Sequence, residues 1–175
     1  MKTKRVTVRS YDPQWALDFQ KICRELEEAL GEYALRIAHV GSTSVSGLSA
    51  KPIIDIDVVM ESYGVFPEVR RRLAVAGYLH EGDLGIPGRE AFCYEGKSHL
   101  RKHHLYVCPA DSRELYRHLT FRDYLRSHPE EAGRYGAVKE EAARLFPDSI
   151  EQYMAYKAEI IGQIYVKCGL AETSE

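Results

Sequence analysis

Near the middle of the chain, the apolar run IIDIDVVM (53–60) carries two aspartates at alternate positions, Asp55 and Asp57. This run limits the fold more than any other feature. Side chains two apart on a strand point to the same face. Both carboxylates therefore share one side, and Ile54, Ile56 and Val58 take the other, toward the core. The run is too apolar to be a wholly exposed edge strand. Two adjacent carboxylates repel each other unless something positive sits between them. A divalent cation is the usual answer, and oxygen ligands with open positions favour Mg²⁺. The plainer alternative is a pair of solvent-facing aspartates.

A second signal lies upstream. The segment LRIAHV (35–40) runs into GSTSVSGLSAKP, a loop rich in glycine and hydroxyl residues: Gly41, Ser42, Thr43, Ser44, Ser46 and Ser49. Glycine lets backbone approach a phosphate closely, and exposed N–H groups in such a loop attract anions. Most loops of this composition are structural, so the pairing with Asp55 and Asp57 carries the weight. A Gly-Ser turn, twelve residues, then Asp-x-Asp on the next strand resembles the spacing of the nucleotidyltransferase superfamily. That resemblance implies a loop that holds phosphate and carboxylates that hold metal, from His39 to Asp57.

The rest of the chain reads as α+β. Residues 4–9 alternate weakly and predict a short strand. A helix follows from Tyr11 to Gly31, capped by Asp12, with Pro13 in its first turn. Its core stripe is Trp15, Phe19, Ile22, Leu26 and Leu30. Residues 65–76 predict a second helix ending at Gly77, and YLHEG, AFCYEG and HHLYVCP predict strands. GDLGIPGRE reads as an ordered turn. From Asp111 the pattern becomes helical. One helix covers 112–128, with a break expected near Thr120. A second starts at Pro129, and a third covers 150–168. The third is expected to bury Ile150, Tyr153, Met154, Ile161, Ile164, Tyr165 and Cys168 on one face. The expectation is a single domain over 1–175, with a mixed β-sheet core in 1–110, flanking helices and a helical extension in 111–170.

Five stretches spread over nearly the whole chain resemble the GrpB family: YDPQW, HVGSTSVSGLSAKPIIDIDV, GIPGR, HHLYV and FRDYLRSHP. The resemblance implies a minimal nucleotidyltransferase-like domain with a helical extension. It also implies a possible protein partner, because GrpB-like domains occur fused to dephospho-coenzyme A kinase. Two positions depart from the family pattern. Ser46 stands where proline is common, and Tyr106 replaces the last histidine of HHLHV. Nucleotidyltransferases often carry a third carboxylate on the strand beside Asp-x-Asp. Here HHLYV offers His104 and Tyr106 on one face, with Leu105 and Val107 on the other. His104 serves as ligand or base in this reading, and Glu90 is the reserve acid.

Around that centre, Gly41, Ser42, Thr43, Ser44, Lys51 and Arg89 are the candidates for phosphate binding, the two cations by neutralising a triphosphate. His39 either buttresses the loop or contacts phosphate. Arg122 and Lys139 read as surface cations first and as groups closing the site second. A structural zinc site at His99, His103 and His104 is disfavoured, since no cysteine lies at ligand spacing. Ser42 reads as a phosphate donor rather than a nucleophile.

Composition narrows the field. The formal net charge of -2 argues against a general nucleic-acid binder, and Arg70, Arg71 and Arg72 read as a solvated helix face. No apolar run approaches the roughly 20 residues of a membrane helix, and the basic N-terminus lacks the apolar core of a secretory signal. Cys23, Cys93, Cys108 and Cys168 form no CxxC pair and read as reduced, mostly buried thiols of a cytoplasmic protein. Two functions follow from this reading. One is Mg²⁺-dependent transfer of a nucleotidyl group from a nucleoside triphosphate to an unknown acceptor. The other is a non-catalytic module that aids the folding of a partner such as dephospho-coenzyme A kinase.

Overall fold

The computed structural model describes residues 5–170. Asp12 Oδ1 accepts the Gln14 N–H at 2.9 Å and so satisfies the first turn of helix α1, Gln14–Leu30. Gly31, at φ 54°, ends it. Five strands and one α-helix follow: β1 Arg36–Val40, β2 Ile54–Met60, α2 Phe66–Val75, β3 Tyr78–Gly82, β4 Glu90–Tyr94 and β5 His103–Pro109. Three helices follow, α3 Arg113–Ser127, α4 Pro129–Leu145 and α5 Ile150–Lys167. The five strands form one mixed sheet in the order β1-β2-β5-β4-β3. β2 runs antiparallel to β1 and parallel to β5.

The sheet separates two environments. On one face Ile54, Ile56, Val58, Leu105 and Val107 join Trp15, Ile22, Leu26 and Leu30 of α1 and Val69 and Leu73 of α2 in the main core. The other face carries Asp55 and Asp57, in register with His104 and Tyr106 of β5. Further along that face Val59 and Cys108 pack on Leu115 of α3.

Four local expectations need correction. Residues 5–8 form no strand, and Arg9 makes only an isolated bridge with Ala50; Lys4 lies outside the described residues. α3 runs unbroken through Thr120, because a threonine without glycine or proline does not interrupt the helical hydrogen bonds. α5 buries Tyr153, Lys157, Ile160 and Ile164, while Ile150 and Met154 are exposed. Of the four cysteines only Cys108 is buried, and Cys93 is exposed.

The segment between β1 and β2 is held from all sides. Gly41 has φ 73° and ψ -176°, a backbone region open essentially to glycine. A Cβ there would also collide with Asp55 Oδ2 and Cγ. Ser44 donates its hydroxyl to the Gly41 carbonyl at 2.5 Å, and Ser42–Ser44 form a 3₁₀ turn. Val45 and Leu48 then bury themselves among Leu125 of α3, Ala132 and Tyr135 of α4 and Ile160 and Ile164 of α5. This second apolar cluster ties the loop to the helical extension.

Two outcomes follow from that arrangement. Leu48→Ala removes a fully buried side chain from the junction of loop and helices. It should cost about 2–5 kcal/mol in urea unfolding, with one cooperative transition; two transitions would mean the helices fold apart from the sheet. Gly41→Ala should cost a further kind of energy, about 1–3 kcal/mol of backbone strain plus displacement of Asp55. A variant as stable as the parent would contradict the backbone conformation at Gly41.

Candidate functional site

Asp55 and Asp57 leave the same strand on the same face, yet their surroundings differ. Asp55 is half-buried and opens into a cleft of about 380 Å³. Asp57 is fully buried and does not line that cleft. Each carboxylate has a histidine. His104 Nδ1 donates to Asp55 Oδ1 at 2.9 Å, and His118 Nδ1, from α3, donates to Asp57 Oδ2 at 2.6 Å. Burial pulls the His118 imidazole toward its neutral form, but the Asp57 hydrogen bond and charge, with Glu114, outweigh it and raise its pKa. Asp57 Oδ1 is buried with no hydrogen-bond partner.

The cleft's first wall is the loop. Gly41, Ser42 and Thr43 line it, and Lys51 and Ile53 continue the wall into β2. Behind the loop, His39 shares a 2.9 Å hydrogen bond with Thr43 Oγ1 and stacks on Phe19 with centroids 4.6 Å apart. Burial, then the Arg126 charge, pushes the His39 imidazole down to about 4. His39 is therefore a neutral buttress, and neither it nor Ser44 lines the cleft. Arg122 is also a buttress rather than a surface cation: it is buried and donates from Nη1 to the His39 carbonyl at 3.1 Å. Arg126 Nε donates to the Ser44 carbonyl at 2.9 Å. Two arginines of α3 thus clamp the ends of the Gly41–Thr43 turn.

The opposite wall comes from the helical extension, and it is unusual in its charge. Lys139 of α4 and Lys157 of α5 are both buried and both line the cleft, which also receives Lys51. Burial, then the charges of Lys157 and Lys51, lowers the Lys139 pKa well below the ordinary lysine value. Burial, then Lys51, lowers Lys157 to about 8. Among the described residues neither buried lysine has a carboxylate within ion-pair distance; each instead lies near a tyrosine ring, Lys139 over Tyr135 at 4.7 Å and Lys157 over Tyr153 at 4.5 Å. Phe121 and Tyr165, whose rings meet edge to face at 5.4 Å, complete an aromatic side. Tyr135 and Ser42 both line the cleft, so the two walls meet at the loop.

The sequence brings some candidates together and leaves others apart. Asp55, His104, Gly41, Ser42, Thr43 and Lys51 all line one cleft. Arg89 does not line it; its guanidinium covers the Tyr106 ring at 4.2 Å, and its Nε is buried without a partner. Glu90 is not a third acid. It pairs across β5 with Val107, which puts it on the core face, and it bonds His80 at 3.1 Å and the Tyr63 hydroxyl at 3.3 Å. Its neighbour Ala91 takes the place beside Tyr106. Lys139 was expected on the surface and is 2% exposed. His118, Lys157, Tyr135 and Tyr153 carry no local signature in the sequence. A buried Asp57 requires a donor, and that requirement alone points to a basic residue arriving from elsewhere. Among the described residues, no group of three or more His, Cys, Asp or Glu side chains is arranged to hold a metal ion. No helix there is long and apolar enough to cross a membrane.

Comparison with known proteins agrees with this architecture. The chain is 35% identical to the UPF0157 protein YqkA of Bacillus subtilis over 90% of its own length, but spans only 46% of that relative. It is 30% identical to a dephospho-CoA kinase of Mycolicibacterium paratuberculosis, covering 83% of this chain and 42% of the kinase. The crystal structure of the conserved protein GrpB from Enterococcus faecalis superposes with a TM-score of 0.78 at 35% identity, over 92% of this chain and 98% of that one. A cytoplasmic RNA terminal U-transferase matches at TM-score 0.59 and 16% identity, over 84% of this chain and 48% of that one. The Cid1 poly(U) polymerase, solved with MgGTP bound, matches at 0.55 and 13%, over 77% and 44%. At those identities the last two show a shared nucleotidyltransferase-like fold and no more. The GrpB protein family matches residues 5–167, and the chain belongs to it.

Proposed function

We propose that the cleft binds a metal–nucleoside triphosphate complex and transfers the nucleotidyl group to an acceptor. One observation carries this reading. An open carboxylate, a glycine-built turn and three lysines converge on the same hollow. Burying cations without anionic partners is costly. An anionic ligand removes that cost, and a polyphosphate has the charge to match three lysines.

The residues also fit a divalent cation. Asp55 opens to the cleft, and Asp57 Oδ1 lacks a hydrogen-bond partner on the same strand face. Mg²⁺ is commonly held by one or two carboxylates, with substrate phosphates and waters filling its other positions. A self-contained cage of protein ligands is therefore not required. When bound, the cation would neutralise charge on the reacting phosphate. The protein's own residues do the rest. Gly41, Ser42 and Thr43 receive the outer phosphates, and Lys51, Lys139 and Lys157 neutralise them. The aromatic side at Phe121, Tyr153 and Tyr165 offers rings for the base. His104, oriented by Asp55, takes the acceptor's proton as its oxygen or nitrogen bonds to the α-phosphorus. The α–β phosphoanhydride bond breaks, and its electron pair leaves with pyrophosphate.

A second reading rests on a different observation. The row of the sheet that carries Asp57 continues through Tyr106 to Ala91, with no third acid. On that basis the domain is a non-catalytic partner module, consistent with the similarity to part of a dephospho-CoA kinase. Turnover separates the two readings, because a partner module binds without producing pyrophosphate.

Isothermal calorimetry with Mg²⁺ and each of the four ribonucleoside triphosphates is the direct test. At least one should bind, Asp55→Ala should weaken it about tenfold or more, and a doubly substituted Lys139→Met/Lys157→Met chain should weaken it further. Failure of all four, or an Asp55→Ala chain that binds like the parent, removes the proposal. The lysines also set a pH dependence. Lys157 titrates at about 8 in the free protein and is held charged by the bound phosphates. Affinity should therefore fall as pH rises through 8, by about tenfold between pH 7 and 9.5, and Lys157→Met should flatten the profile. A profile unchanged by Lys157→Met would place the phosphates elsewhere.

A further inference from the structure

A second hollow of about 630 Å³ adjoins the cleft and shares Lys51 and Ile53 with it. The residues Lys51, Pro52 and Ile53 form the rim between the two. Asp55 follows Ile53 by two positions on the same chain, roughly 7 Å along an extended backbone. An occupant of the second hollow that crosses this rim therefore arrives beside Asp55 and His104.

The lining of this hollow has a one-sided charge. Among the described residues, Arg5, Lys51, Arg101 and Lys102 line it together with one carboxylate, Asp18. Asp18 already receives Arg101 Nε at 2.9 Å. The chain as a whole has a formal net charge of -2, so the cations are not a sample of a generally basic surface. The loop that supplies Arg101 and Lys102 is fixed. Leu100 is buried, Lys21 Nζ donates to the His99 carbonyl at 2.7 Å, and His99 contacts Glu25 Oε1 at 2.6 Å. Among the described residues the hollow has no carboxylate pair and no glycine turn, so it lacks what the first cleft offers a metal–nucleotide. Its size suits a small organic molecule, and its charge suits an anion that carries no metal.

We infer that this groove binds the acceptor, and that the acceptor is a small molecule bearing a phosphomonoester. The inference rests on the nucleotidyl-transfer reading and adds the chemical class of the second substrate. The phosphate lies among Arg5, Arg101 and Lys102, and the nucleophilic end reaches over Ile53 to the α-phosphate. Lys51 stands between the two substrates and touches both.

Phenyl phosphate is the probe, titrated into the ¹⁵N-labelled full chain, with benzyl alcohol as the uncharged control and a single-stranded RNA hexamer as the polymeric one. Phenyl phosphate should shift the amides of Thr7 and Ser98–Lys102, and benzyl alcohol should not. An Arg5→Gln/Lys102→Gln chain should lose about tenfold in that affinity while its Mg–ATP affinity, measured by calorimetry, stays within about twofold. No shift, equal shifts with benzyl alcohol, or equal binding by the double variant overturns the inference and leaves the nucleotide reading standing. Hexamer binding at the same amides far tighter than phenyl phosphate overturns the small-molecule assignment. A parent chain that binds phenyl phosphate here but no nucleoside triphosphate in the cleft overturns the acceptor role together with the reading beneath it.

Discussion

A carboxylate removed from water must find partners inside the protein, and Asp57 has no exposure at all. It lies on β2, paired with β1 on one side and β5 on the other. Its partner is His118, brought from α3, 61 positions along the chain. That contact fixes where α3 crosses the polar face of the sheet. α3 then carries Arg122 and Arg126 to the two ends of the Gly41–Thr43 turn. The turn's geometry, and hence the shape of the cleft, depends on a helix whose position is set by the demand of one buried acid.

The helical extension repeats this logic with the sign reversed. α4 and α5 place Lys139 and Lys157 where an ordinary core would place leucine or isoleucine. Neighbouring positions Tyr135, Ile160 and Ile164 do pack as an ordinary core. The lysine stems can cover the rings of Tyr135 and Tyr153 while the ammonium groups stay at the cleft. Folding alone gains nothing from two buried lysines whose pKa values are both pulled down, Lys139 by burial and then the charge of Lys157, Lys157 by burial and then the charge of Lys51. Their placement makes sense as preorganisation for an anion, because the lysines are ordered before it arrives.

Period and turn chemistry made much of this fold legible. The strand holding Asp55 and Asp57, the glycine loop before it, the stripe of α1 and the shared face of His104 and Tyr106 all follow from local pattern. Local pattern failed where long-range compensation decides. The face of α5 looked like Ile150, Met154 and Ile161, because hydrophobic periodicity counts apolar residues as buried. The structure buries Lys157 instead and leaves Ile150 and Met154 exposed, since that face of the helix meets a polar cleft. The same blindness hid His118 and turned Lys139 into a surface cation. The expected strand at 4–9 failed for another reason: among the described residues 5–9 the weak alternation makes one β-bridge, Arg9 with Ala50, and Val6 donates instead to the Pro147 carbonyl.

Where a third carboxylate beside Asp57 would add negative charge, the row holds the neutral Tyr106 ring, with the Arg89 guanidinium over it. Of the two acids present, Asp57 is already countered by His118, whose pKa is raised by that contact. Among the described residues Asp55 is left as the one carboxylate lining the cleft, together with three lysines. Two free divalent cations would meet too little negative charge there to be held close together. One cation already bound to a triphosphate would meet a site of matching sign, since the lysines would attract its phosphates while Asp55 would help to hold the cation. On the proposed reading, the replacement of the third acid by an aromatic ring does not empty the site of function. It shifts the work of charge neutralisation from a second metal to the lysines of α4 and α5.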